Sequence, residues 1–147
     1  MQLSKNFELD EFIRSDTARR LGIDNTPTPA VLAELQRTAE MLELVRVQLG
    51  NRPIWITSGY RALALNSVVG GSVTSAHCRG MAADFTCPDF GTPLQVCREL
   101  ATFAGSLNFD QLIHEFGSWV HIGRAPAPRR QLLTIDSRGT RLGLMEL

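Results

Sequence analysis

Apolar residues at three- and four-residue steps run from Val31 and Leu32 through Leu35, Ala39, Leu42, Val45 and Val47 to Leu49, and Pro29 suits a first helical turn. The pattern predicts a long buried helix over residues 28–49, ended by Gly50-Asn51-Arg52-Pro53. Upstream, Phe7, Leu9, Phe12 and Ile13 anchor a short segment that closes in a first helix. Ser15-Asp16-Thr17 offers capping oxygens to a second short helix that Gly22 stops. Residues 25–29 read as a linker within one domain.

Downstream the period shortens. Ile54-Trp55-Ile56-Thr57-Ser58 is a β-rich run, Gly59-Tyr60-Arg61 leads into a helix over 62–68, and Gly70-Gly71-Ser72 is a flexible turn. A strand follows over 81–86 and an amphipathic helix over 93–103, with Leu94, Val96, Cys97, Leu100 and Phe103 apolar. The runs 109–116 and 119–122 flank Gly117-Ser118, a hairpin signal compatible with a type II′ turn. The tail is rich in Arg and Pro, then carries Leu132, Leu133, Ile135, Leu142, Leu144 and Met145, and reads as an edge strand or hairpin. The sum is an α+β fold, a small antiparallel sheet flanked by helices, in a single domain spanning residues 1–147.

Composition narrows the partners. With 147 residues and 44% hydrophobic content the chain can bury a real core. Fifteen basic residues balance fifteen acidic ones without a basic block, which argues against nucleic acid and anionic membrane surfaces as partners. Nothing demands more than a monomer. Three cysteines, Cys78, Cys87 and Cys97, cannot all pair within the chain, so a reduced compartment during folding is expected. Cys78 reads as a buried thiol, not a metal ligand. The first residues lack a basic start and an apolar stretch, so the expectation is a protein made in the cytoplasm, without signal peptide or membrane insertion.

Only three histidines occur, His77, His114 and His121. His77 and Asp84 lie seven residues apart, and Trp119-Val120-His121 supplies a second imidazole. Two imidazoles and one carboxylate form the three-ligand set with which a catalytic zinc keeps a position open for water. The β-like stretch Ala83-Asp84-Phe85-Thr86 argues against a helix there, so the loop must fold back at Gly80 to bring His77 beside Asp84.

The spacing of His77 and Asp84 alone is a weak signal. The longer string Ser58-Gly59-Tyr60-Arg61, Leu65-Asn66, Val69-Gly70-Gly71, then Ser75, His77, Gly80, Ala82 and Asp84, followed by Trp119-Val120-His121, is specific. It resembles the M15 metallopeptidases, the D-alanyl-D-alanine carboxypeptidase and phage endolysin group. The opening, from Leu3-Ser4 to Leu21-Gly22-Ile23-Asp24-Asn25, is similar to their small phage and prophage branch. The resemblance implies a zinc peptidase fold of the hedgehog/lysostaphin type that acts on peptidoglycan stem peptides, with His77, Asp84 and His121 as the ligands of Zn2+. It places Arg61 at the substrate, polarising the scissile carbonyl or holding a carboxylate, with Ser75 hydrogen-bonding substrate or His77.

Many members of that family carry a proton-accepting acid three residues before the last histidine, where this chain has Ser118. The nearest acid is Glu115, six residues before His121. Hairpin register decides whether it reaches the site. A two-residue loop pairs His114 with His121 and turns Glu115 away, whereas a three-residue loop pairs Glu115 with Trp119 and sets it on the face of His121. Glu115 is the preferred base, because a carboxylate facing inward in so apolar a hairpin is costly without a partner or task. On the other register His114 would turn inward. Trp119 reads as a packing aromatic, and Asp110 as an acceptor for a ligand imidazole.

The expected chemistry is metal-assisted amide hydrolysis of a peptidoglycan stem peptide or cross-link, by a carboxypeptidase or an endolysin-type endopeptidase of phage or prophage origin. Such an enzyme would reach the wall through a membrane lesion made by another protein. The rival is a non-catalytic, zinc-stabilised wall-binding or virion structural protein, supported by the unconventional position of the base.

Overall fold

Thr28 and Pro29 set the start of the long helix: the Thr28 hydroxyl accepts from the Val31 amide at 3.2 Å, and Pro29 fills the first turn, where a missing N–H costs nothing. The computed structural model describes residues 1–147. A short ribbon of β1 (Gln2–Ser4) and β2 (Phe7–Glu8) precedes α1 (Leu9–Ile13), α2 (Asp16–Leu21) and α3 (Pro29–Gln48). Then come β3 (Trp55–Ser58), α4 (Leu63–Val68), β4 (Ala82–Thr86), α5 (Pro93–Ala101) and α6 (Ala104–Leu107). The chain ends in β5 (Gln111–Glu115), β6 (Trp119–Gly123), β7 (Gln131–Asp136) and β8 (Gly139–Leu142).

The architecture is α+β, with a six-stranded sheet in the order β3-β4-β6-β5-β7-β8. Neighbours are antiparallel except β5 and β7, which run parallel. That exception has a geometric cause. The chain leaves β6 at Gly123, beside Gln111, crosses the end of β5, and re-enters at Gln131 on the other side of the same residue. The tail strand therefore starts at the same end as β5. With β8 it forms the edge hairpin foreseen for the tail.

Alternation along the strands gives the sheet two unlike faces. Phe85, Leu112, Val120 and Ile122 point one way, are fully buried, and join one apolar cluster with Leu35, Ala39, Leu42 and Val45 of α3 and Val96, Cys97 and Leu100 of α5. The Thr92–Gln95 capping box fixes the start of α5. His114 lies on this packed face, its Nδ1 3.2 Å from the Met145 carbonyl. Burial pushes the Cys97 thiol up to about 12, and all three cysteines are free. No helix is long and apolar enough to cross a membrane.

Candidate metal centre

The opposite face of the sheet gathers the polar side chains. Register places Ser58 beside Asp84, Asp84 beside His121 and His121 beside Ile113, and the row Asp84, His121 and Ile113 across β4, β6 and β5 forms the floor of a cleft of about 760 Å³. His77 reaches the floor from a 3₁₀ turn, Ala76–Arg79, that folds back over β4. Ser75 caps this turn, its hydroxyl accepting the His77 amide at 3.2 Å. Gly80 ends it in the left-handed conformation, φ 72°. The Gly80 carbonyl then accepts from the buried Thr38 hydroxyl of α3 at 2.7 Å, tying the turn to the core.

A side chain at position 80 would meet the Val31 carbonyl at 2.9 Å and Leu35 at 3.1 Å. Gly80→Ala is expected to cost about 1–2 kcal/mol in backbone conformation alone, more with the clash, and to weaken metal binding by displacing His77. Thermal melting and metal titration check this; a variant unchanged in both would show that the turn does not fix the site.

The three donors converge. Asp84 Oδ1 lies 2.9 Å from His121 Nδ1 and 3.3 Å from His77 Nε2, and the ligand atoms of all three residues lie within 4.8 Å of one another. The second ring nitrogen of His77, Nδ1, donates to the Gly59 carbonyl at 2.6 Å. That bond fixes the tautomer and leaves the Nε2 lone pair aimed at the carboxylate. Burial lowers the pKa of His77, against the pull of Asp84, and so favours the neutral ring. A carboxylate oxygen and an imidazole lone pair that converge at 3.3 Å, with a second imidazole beside them, are the deprotonated donors a metal ion requires, so the donor set fits a metal ion. Burial alone would raise Asp84, but the imidazoles of His77 and His121 beside it hold its carboxyl well below the usual carboxylate range. Burial alone would depress His121, but the Asp84 hydrogen bond and charge, with Glu115, raise it. Cys78 stands outside the donor group.

The β5–β6 hairpin makes the longer connection. Phe116 and Gly117 both have positive φ, Ser118 N–H donates to the Glu115 carbonyl at 2.9 Å, and Glu115 pairs with Trp119. The two-residue loop does not occur, because Phe116 leaves the pairing and joins Gly117 and Ser118 in a three-residue connection. Glu115 consequently shares the face of His121, with Oε1 3.8 Å from His121 Nδ1. The Trp119 indole N–H donates to Glu115 Oε2 at 3.0 Å, so this aromatic is a hydrogen-bond partner as well as packing. Burial, then the charge of Asp84, raise the Glu115 pKa.

Arg61 stands beside the donor group with its Nε buried and without a protein partner. It lines both the cleft and a second hollow of about 400 Å³ between β3 and the α1–α2 turn. Asn25, expected only as part of a linker, fixes this arginine's loop. Its amide donates to the Ile13 and Tyr60 carbonyls at 2.8 and 3.0 Å, and its oxygen accepts from the Ala62 amide at 2.8 Å. An asparagine between a short helix and the long one was the one available signal. Asp110 does not meet an imidazole; Arg129 closes on it through Nε and Nη2 at 2.9 and 2.8 Å.

A sheet that brings two imidazoles and a carboxylate to the floor of an open cleft defines an α+β protein with a three-donor site able to hold a metal ion. The family model Peptidase M15 matches residues 5–123, and the chain belongs to this family of metallopeptidases. Comparison with curated proteins gives no match.

Proposed function

We propose that the protein is a zinc-dependent peptidase that hydrolyses an amide bond in the stem peptides or cross-links of bacterial peptidoglycan, acting as a single-domain monomer. The observation that carries this reading is the half-buried Glu115 carboxylate beside the donor group, held by Trp119 on one oxygen and free toward the cleft on the other. A zinc ion held by His77, Asp84 and His121 would supply the Lewis acidity that acidifies a water and polarises the scissile carbonyl.

The remaining work belongs to the chain. Glu115 takes a proton from the attacking water on Oε1, because Oε2 already accepts the indole N–H. The same proton passes to the leaving nitrogen as the C–N bond breaks, which returns the carboxylate to its starting state. Arg61, with donor capacity unspent inside the protein, stabilises negative charge as it develops on the carbonyl oxygen. His77 keeps its orientation through the Gly59 carbonyl. Ser75 supports the turn beneath it while also lining the cleft. The rival reading of a non-catalytic protein drew on Ser118 standing where an acid is expected. The hairpin register removes that support, since Glu115 reaches the same face.

The test is mass spectrometry of soluble fragments released from purified peptidoglycan by the zinc-loaded protein, beside a chelator-treated sample. New stem-peptide termini that vanish with chelator are expected and would name the bond. No new termini in either sample would leave a binding or structural role instead.

A further inference from the structure

The carboxylates of the cleft are all engaged within the protein: Asp84 by two imidazoles, Asp110 by Arg129, and Glu115 by the Trp119 indole. Three guanidiniums line the same cleft, those of Arg61, Arg79 and Arg129. They balance the three carboxylates, so a bound divalent cation leaves the cleft net cationic and complementary to an anionic substrate. Arg129 is closed onto Asp110 by three hydrogen bonds, 2.8–3.0 Å, one of them from its backbone N–H. Arg61 is taken up by the chemistry proposed above. Arg79 remains, exposed and without a carboxylate partner, on the side of the cleft that holds Asp110 and Arg129. Its backbone is not loose. It sits two residues after His77 in the 3₁₀ turn that Ser75 caps and Thr38 tethers, so the base of the side chain is fixed relative to the donor group.

We propose that Arg79 is a specificity-determining residue that pairs with a free carboxylate of the substrate, on the Asp110–Arg129 side of the cleft and away from the scissile amide. This rests on the peptidase reading above. Stem peptides offer two such groups, the D-glutamyl α-carboxylate and the C-terminal carboxylate. Either matches the planar fork of a guanidinium, and pairing gains strength as the substrate displaces water.

The experiment uses the zinc-loaded full chain and a synthetic stem peptide with both carboxylates free, beside two derivatives, each amidated at one of them. For the wild type, one amidation is expected to lower kcat/KM about tenfold, and that derivative identifies the carboxylate. Arg79→Gln is expected to collapse the acid-to-amide ratio toward one, and Arg79→Lys to restore part of it. Equal discrimination by the wild type and Arg79→Gln, or none by the wild type, would overturn the proposal while leaving the peptidase reading intact. If no peptide is cleaved, the peptidase reading falls. The same ratios, measured as equilibrium binding of the uncleaved peptides, then decide the role of Arg79: a ratio lost in Arg79→Gln supports it, and equal or absent discrimination sinks it.

Discussion

Glu115→Gln is expected to lower kcat by a factor of about 10²–10⁴, the range that a positioned general base contributes, while leaving the metal-donor group filled. Glutamine keeps the size of the side chain and an oxygen that can accept the Trp119 indole N–H, so the hairpin has no reason to rearrange. What it loses is the ability to take a proton at the oxygen 3.8 Å from His121 Nδ1. The stability effect runs the other way. Burial and the Asp84 charge raise the Glu115 pKa, and a carboxyl raised above its unfolded value costs stability once the pH exceeds that unfolded value. In metal-free protein at neutral pH, Glu115→Gln should therefore melt no lower than the wild type. Loss of turnover with unimpaired melting and metal binding is the signature of a catalytic group. Full hydrolysis by a metal-loaded Glu115→Gln would remove Glu115 from the mechanism.

The parts of this fold that were readable in the sequence are those written in local spacing. The apolar period of α3, the β-rich run of β3 and the hairpin all follow from short stretches of chain, whereas the trio His77, Asp84 and His121 was readable through the longer string that resembles a known family. The 3₁₀ turn at Ala76–Arg79 was legible only as a loop that must fold back at Gly80, because its tethers, Thr38 and Ser75, act across elements and along the backbone. The hairpin left two registers open. Gly117-Ser118 advertises a two-residue turn, and only the left-handed Phe116, a costly conformation for a bulky residue, lengthens the connection. Nor did any local signal show that β7 would lie parallel to β5, since that depends on the chain crossing the sheet end between Gly123 and Gln131. Asp110 illustrates the same limit. A carboxylate near a histidine-bearing strand is a natural guess for an imidazole partner, but its actual partner, Arg129, is nineteen residues away.

Asp84→Asn tests the centre itself and carries the second large effect. Asparagine preserves volume but removes the only charge among the three donors, and a divalent cation held by neutral groups alone loses most of its electrostatic attraction. Replacing groups that merely orient metal ligands weakens binding about 10–100-fold, so removing the anionic ligand should exceed that range and abolish metal-dependent turnover. Melting curves read the change directly. At free metal 100 times the dissociation constant, binding stabilises the wild type by about 2.7 kcal/mol, or about 5–10 °C for a chain of this size; Asp84→Asn should show little of that shift at the same metal concentration. A second effect appears without metal. The pKa of Asp84 is depressed in the fold, so its ionised form contributes stability at every pH above its unfolded value, lost only as pH falls through the folded one. Metal-free Asp84→Asn should consequently melt below metal-free wild type at neutral pH. An undiminished metal-induced shift in the variant would mean that the ion binds elsewhere, and the cleft floor built by β4 and β6 would then need another task for its two imidazoles.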